Sequence, residues 1–204
     1  LNGSHREARQ TYARVVRDEG RLREATGQYL RLVEQYPDDL DGRVALSEMA
    51  FARKDWGEFE RHTQAAIELA PEDARVQILS VAQDYRKAAT AEDNPAREAA
   101  FARALELAAA NPENTILQEI EIDGHVRNNS YSSALDTIDR TLVQTPDNRA
   151  LYNTRLSLLA RLEDAPEMER QLREMVTRFP EDKAIKETLI RFYMSRSEAD
   201  KAEA

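Results

Sequence analysis

Residues 31–39 read Arg31-Leu32-Val33-Glu34-Gln35-Tyr36-Pro37-Asp38-Asp39. With Tyr29, the apolar residues Leu32, Val33 and Tyr36 recur at the spacing of one helix face. Pro37 then stops the helix, because it lacks an N–H and its ring clashes with the preceding turn. An aspartate after it can cap the next helix by accepting a free backbone N–H. The same signal returns at Pro71, Pro112, Pro146 and Pro180, at spacings of 34, 41, 34 and 34 residues. An acidic or amide pair follows each: Glu72-Asp73, Glu113-Asn114, Asp147-Asn148, Glu181-Asp182. Counting back 34 from Pro37 reaches Gly3, so Leu1–His5 is expected to be a further copy of this helix-ending turn. A second punctuation falls midway, at Glu19-Gly20, Lys54-Asp55, Asn129-Ser130, Asp164-Ala165 and Ser197-Glu198. Each period is thus two helices of ordinary length with a hard stop after the second.

The unit between Pro71 and Pro112 has seven extra residues, about two helical turns. Shared between its two helices, they keep the core stripe in phase. The reading is a helix over 74–91, a loop around 91–94, and Pro95 in the first turn of the next helix, where proline is favoured. The longer hairpin should protrude from the loop edge; neutral length drift and a partner-specific elbow both remain open.

Composition narrows the chemistry. The chain has 204 residues, with 6 Gly and 7 Pro, too few for an all-β sandwich. There is no cysteine, which excludes disulfides and thiolate sites. The formal net charge of −9 argues against nucleic acid as the main partner and against charge-driven binding to an anionic membrane. An RNA-binding array would need a basic stripe. No apolar run is long enough to insert in a membrane. The chain begins at Leu1, and Lys201–Ala204 read as the start of a second helix, so it is expected to be part of a longer protein.

Catalytic signatures are not found. His5, His62 and His125 stand apart, and no HExxH, GxGxxG, phosphate-binding loop or GxSxG occurs. His125 is expected to be a buried, hydrogen-bonded histidine; a metal or catalytic pair with Asp123 is the alternative. Glu119, Glu121 and Asp123 do not share one helix face, so a solvated patch is expected rather than paired carboxylates. Trp56 is expected to pack between helices, with an exposed binding anchor as the alternative. No metal site and no cofactor is expected.

The period resembles the tetratricopeptide repeat (TPR). Ala25, Tyr29 and Pro37 match its second-helix pattern, with weaker copies at Ala100/Ala104/Pro112, Ala134/Ile138/Pro146 and Met168/Leu172/Pro180. The first-helix pattern appears at Tyr12-Ala13 with Val16, Leu46-Ser47 with Ala50, and Leu189-Ile190 with Tyr193. Phe59 and Thr63 break the pattern in the second repeat. Ile122, Leu156 and Ile190 are large where small residues are usual, which implies packing in the later repeats that is wider or shifted by a residue. The resemblance covers the whole chain. It implies an all-α, right-handed superhelical solenoid of antiparallel helix pairs. About six repeats are expected, at 4–37, 38–71, 72–112, 113–146, 147–180 and a truncated 181–204, forming one domain over 1–204. Eleven complete helices and a partial twelfth follow.

The resemblance also implies a non-catalytic interaction scaffold. A peptide or partner helix would bind the concave face built by the first helices. Its candidate residues are Arg14, Glu48, Phe51, Tyr85, Asp123, Asn153 and Arg191. The carboxylate clamp of some co-chaperone TPR domains is disfavoured. Its inner positions here hold Gln10, Arg14, Asp41, Ala45, Glu119 and Asp123, without the Lys–Asn set. Alternatives are a docking arm of a larger enzyme and a self-assembling array joined through its end repeats. The runs 31–39 and 188–196 are similar to repeat arrays of proteobacterial envelope proteins, many of them lipoproteins. That favours a bacterial envelope or periplasmic setting over the cytoplasm.

Overall fold

Two kinds of turn alternate along the chain and account for its helices. The computed structural model describes residues 2–197. Among these residues there are eleven helices and no strand: α1 (Asn2–Asp18), α2 (Leu22–Gln35), α3 (Leu40–Ala52), α4 (Trp56–Leu69), α5 (Ala74–Thr90), α6 (Asn94–Ala110), α7 (Thr115–Arg127), α8 (Tyr131–Gln144), α9 (Arg149–Arg161), α10 (Ala165–Arg178) and α11 (Lys183–Ser195). The first kind of turn carries the proline. The N–H of Asp39 donates to the Tyr36 carbonyl at 3.0 Å, spanning Pro37, and its carboxylate accepts from the N–H of Gly42 at 2.8 Å. Asp73, Asn114, Asn148 and Asp182 cap α5, α7, α9 and α11 in the same way, each two residues after its proline.

The second kind closes each helix pair. One residue there takes the left-handed conformation: Gly20, Lys54, Glu92, Asn129, Glu163 and Ser197, at φ between 55° and 75°. The next N–H reaches back five residues to a carbonyl, as in Asp55 to Ala50 at 2.9 Å and Asp164 to Leu159 at 3.0 Å. This pairing satisfies helix-end carbonyls that would otherwise lack donors. Only the first of the six positions is glycine. A side chain in this region costs about 1–2 kcal/mol, partly offset by the flexibility that glycine adds to the unfolded chain. Glu92→Gly and Glu163→Gly should therefore each stabilise the protein by about 0.5–1 kcal/mol. Asn129→Gly should gain less, because asparagine tolerates this conformation. Urea melts test this; a lower midpoint for Glu92→Gly would contradict it.

The long unit is built as its length requires. α5 and α6 have 17 residues each, against 13 in α3 and 14 in α4, which accommodates all seven extra residues. Pro95 lies in the first turn of α6, and Asp93 caps it by accepting from Ala96 at 3.0 Å. One expectation fails. α1 already includes Asn2–His5, so these residues are helix rather than a turn. Glycine, not proline, stands at position 3, and nothing there denies the helix a donor. The expected partial twelfth helix lies outside the described residues.

The chain divides into two compact units inside α7, between Glu121 and Ile122. In the first unit, Ala13, Val16, Ala25, Tyr29, Leu32 and Leu46 form one buried cluster across α1, α2 and α3. The small residues Ala13 and Ala25 are fully buried, so the helices approach closely there. A larger cluster runs from Val44 to Ile120. Phe59, which breaks the repeat pattern, meets Phe51 edge-on at 5.4 Å and Trp56 at 6.4 Å. Trp56 is half-buried and packed, with the Arg86 guanidinium 3.7 Å from its ring centre. In the second unit, Ile122 packs with Ala134, Ile138 and Leu158, and Tyr152 with Met175 and Ile185. Leu156 is half-buried and Ile190 is exposed.

Candidate functional site

The site begins with a buried aspartate. Asp39 caps α3 and is wholly buried. Besides the Gly42 N–H, it accepts from Arg6 Nε and Gln10 Nε2, both at 2.7 Å. Three donors compensate the burial of the carboxylate and fix α1 against α3. Gly42 lets α3 come close to Val33 of α2 and to its own cap. A Cβ there would lie 2.8 Å from Val33 Cγ1 and 3.1 Å from Asp39 Oδ1.

Above this anchor, α1, α3 and α5 line a cleft of about 320 Å³, with Tyr29 of α2 reaching it. α1 contributes Gln10, Arg14 and Arg17, α3 contributes Asp41 and Glu48, and α5 contributes Arg75. Arg17 Nη1 lies 3.2 Å from Glu48 Oε2. Arg75 donates to Asp41 at 2.7 Å and to Asp73 at 3.0 Å. Burial pushes the Glu48 carboxyl up from its ordinary value, opposed by Arg17 and Arg75. Burial likewise raises the Tyr29 phenol. Arg14 is exposed and has no acidic partner among the described residues. The lining carries three guanidiniums against two carboxylates, in a chain of net charge −9.

No family model and no curated protein matches this chain. Solved structures do. PilF of Pseudomonas aeruginosa is 15% identical and superposes with a TM-score of 0.63, covering 98% of this chain and 88% of its own. PilW, a type IV pilus biogenesis factor, is 12% identical with a TM-score of 0.63, covering 97% and 89%. The Thermus thermophilus TPR protein TTC0263 is 13% identical with a TM-score of 0.59, covering 93% and 99%. The fold is the tetratricopeptide-repeat fold.

In TPR terms the cleft lies on the first helices of three successive pairs. Arg14 and Glu48, both expected from the sequence, meet there. So do Gln10, Asp41 and Ala45, three of the inner positions compared with the carboxylate clamp. Phe51 and Tyr85 are placed differently. Each is only 6% exposed, and both belong to the core of the first unit, so neither presents a free surface. Phe51 packs edge-on against Phe59 of α4 at 5.4 Å, and the Arg97 guanidinium of α6 lies 4.6 Å from the Tyr85 ring centre. In the second unit Asp123, Asn153 and Arg191 are exposed on α7, α9 and α11. Asp123 pairs with Arg127 at 3.3 Å on its own helix. Arg17, Arg75 and Tyr29 were missed as lining residues. The register held the signal for one of them: Asp41 and Arg75 are 34 residues apart, the same position in successive pairs.

Among the described residues no group of three His, Asp or Glu side chains could hold a metal ion. His125 is half-buried on α7. His62 is 1% exposed, and burial pushes its pKa down to about 4, reinforced by Arg61 and Arg43 and opposed by Glu58. Its Nε2 is 3.0 Å from Arg61 Nη2 and 3.3 Å from Glu58, and its Nδ1 is 3.5 Å from Arg43 Nη1, so guanidiniums flank both ring nitrogens and favour the neutral ring. The unfolded state takes up this proton near pH 6.5, the folded state only near 4. The stability from a neutral His62 is therefore complete above pH 6.5. It declines by about 3 kcal/mol as the pH falls to 4. His62→Gln should remove this component, and urea melts from pH 7 to 4 on both proteins measure the difference. Identical pH slopes would contradict it.

Proposed function

We propose that this TPR array is a non-catalytic scaffold that holds an extended peptide or a partner helix against the cleft of α1, α3 and α5. The observation that supports this most is Arg14: a cation at the cleft mouth, without an acidic partner, beside the ion pairs of Arg17–Glu48 and Arg75–Asp41. Those pairs preorganise the cleft walls, and Arg14 is left to meet an acceptor on the ligand. Protein partners are the rule for this fold, and the similar structures include a pilus biogenesis factor. The proposal keeps the setting expected from the sequence, a bacterial envelope. No helix among the described residues is long and apolar enough to cross a membrane.

A photo-crosslinking side chain placed at Thr11, which also lines the cleft, tests the reading. In the native host it should capture a discrete protein partner, and Arg14→Glu in the same chain should abolish the capture while leaving the melt unchanged. Capture that persists with Arg14→Glu would contradict binding at this cleft.

A further inference from the structure

Most polar groups on the walls of the α1–α3–α5 cleft already have partners, and two do not. Glu48 holds Arg17 at 3.2 Å, and Asp41 and Asp73 hold Arg75 at 2.7 and 3.0 Å. Gln10 donates its amide to Asp39 at 2.7 Å. Arg14 is exposed and has no acidic partner among the described residues. The second free group is the Tyr29 phenol. Its ring is almost wholly buried, yet it lines the cleft, and its hydroxyl has no hydrogen-bond partner among the described residues. That hydroxyl is not sealed in, unlike the buried and unpartnered Nε of Arg43 and Oε1 of Gln83, so a ligand entering the cleft can reach it. Burial raises the phenol, and the charges of Arg17, Asp18, Glu48 and Arg14 act on it as well, which sets the hydroxyl among these groups. A phenol so raised keeps its proton at neutral pH and is a donor.

Arg14 and Tyr29 thus offer a positive charge and an O–H donor in one place, and both suit a carboxylate. The carboxylates of Asp41 and Glu48 on the same walls oppose a second negative charge. Val44 and Ala45 also line the cleft and suit an uncharged neighbour. A side chain carries its carboxylate away from the backbone. It can therefore reach a nearly buried phenol while the ligand chain stays at the exposed rim of Thr11 and Arg14. We propose that this cleft, on which the proposed function already rests, selects its partner by one isolated acidic side chain, bound by Arg14 and the Tyr29 hydroxyl and flanked by uncharged residues.

The test follows the backbone amides of Val44 and Ala45 by NMR in the whole ¹⁵N-labelled chain. The probes are acetyl-Ala-Glu-Ala-amide, its glutamine counterpart, acetyl-Ala-Glu-Glu-amide, and acetyl-Ala-Ala-Ala with a free C-terminus. The single-glutamate peptide should give a saturable shift with a Kd of about 1–10 mM, as befits so small a ligand. Tyr29→Phe removes only an unpartnered hydroxyl and should melt like the parent, but should weaken this binding about three- to tenfold. Arg14→Gln should weaken it by a similar factor. The other peptides should bind at least about threefold more weakly. No saturable shift from the single-glutamate peptide, or a Kd unchanged by Tyr29→Phe, would overturn the site. Equal binding of the glutamine peptide would overturn the carboxylate, equal binding of the double-glutamate peptide its isolation, and equal binding of the free C-terminus its side-chain origin. Partner capture from Thr11 in the parent chain separates these failures from that of the scaffold. Capture without the expected peptide binding would remove only the acidic side chain; peptide binding without capture would instead count against the scaffold and leave the carboxylate site standing.

Discussion

Tyr29→Ala is expected to destabilise the N-terminal helix pairs by about 3–5 kcal/mol. The ring is 4% exposed and belongs to the cluster that joins α1 and α2 to α3. Its loss removes a large buried surface and opens a cavity that Ala13, Ala25 and Ala45, already small, cannot fill. Ala25→Leu should act in the opposite sense on the same contact. Ala25 is fully buried, and overfilling it should cost about 1–3 kcal/mol. Urea denaturation checks both. A Tyr29→Ala midpoint close to the parent's would show that the pairs do not depend on this contact.

Arg155→Ala should be nearly as damaging in the second unit, at about 3 kcal/mol, the lower end for breaking a buried ion pair. The guanidinium side chain is 9% exposed and ties α8, α9 and α10 together through Asp139, Gln171 and Glu167. The lower end applies because Asp139 is half exposed and Glu167 keeps Arg170. Arg155→Lys should recover less than half of the loss. An ammonium cannot present donors in the fork that three separated acceptors require. Full recovery by lysine would show that charge alone matters there.

Much of this fold was legible in the chain because proline and its capping partner act locally. Pro37 stops a helix and Asp39 starts the next one with no help from the rest of the protein. The seven-residue insertion was readable for a similar reason, since only an in-phase extension of both α5 and α6 preserves their buried faces. The site was less legible. A first-helix residue faces the cleft or the core according to a rotation of about 100° per residue. Arg14 and Glu48 line the α1–α3–α5 cleft, while Phe51 and Tyr85 lie in the core of the first unit. Arg155 and Gln171 gave no signal at all. A buried arginine or glutamine looks like a surface residue until its tertiary partners are known. The left-handed turn residues were half visible: the mid-pair punctuation was there, but Lys54, Glu92 and Glu163 disguise positions where glycine would be expected.

The central claim is an array of helix pairs with the tetratricopeptide-repeat fold, which we propose offers its first-helix face to a partner. In such an array damage stays local, because stability is largely a sum over nearest neighbours. Native-state hydrogen exchange of Tyr29→Ala against the parent tests this most directly. Protection should fall first and furthest in residues 5–55 and change little beyond Pro112. An equal loss of protection along the whole chain would reveal a single cooperative globule and contradict the account.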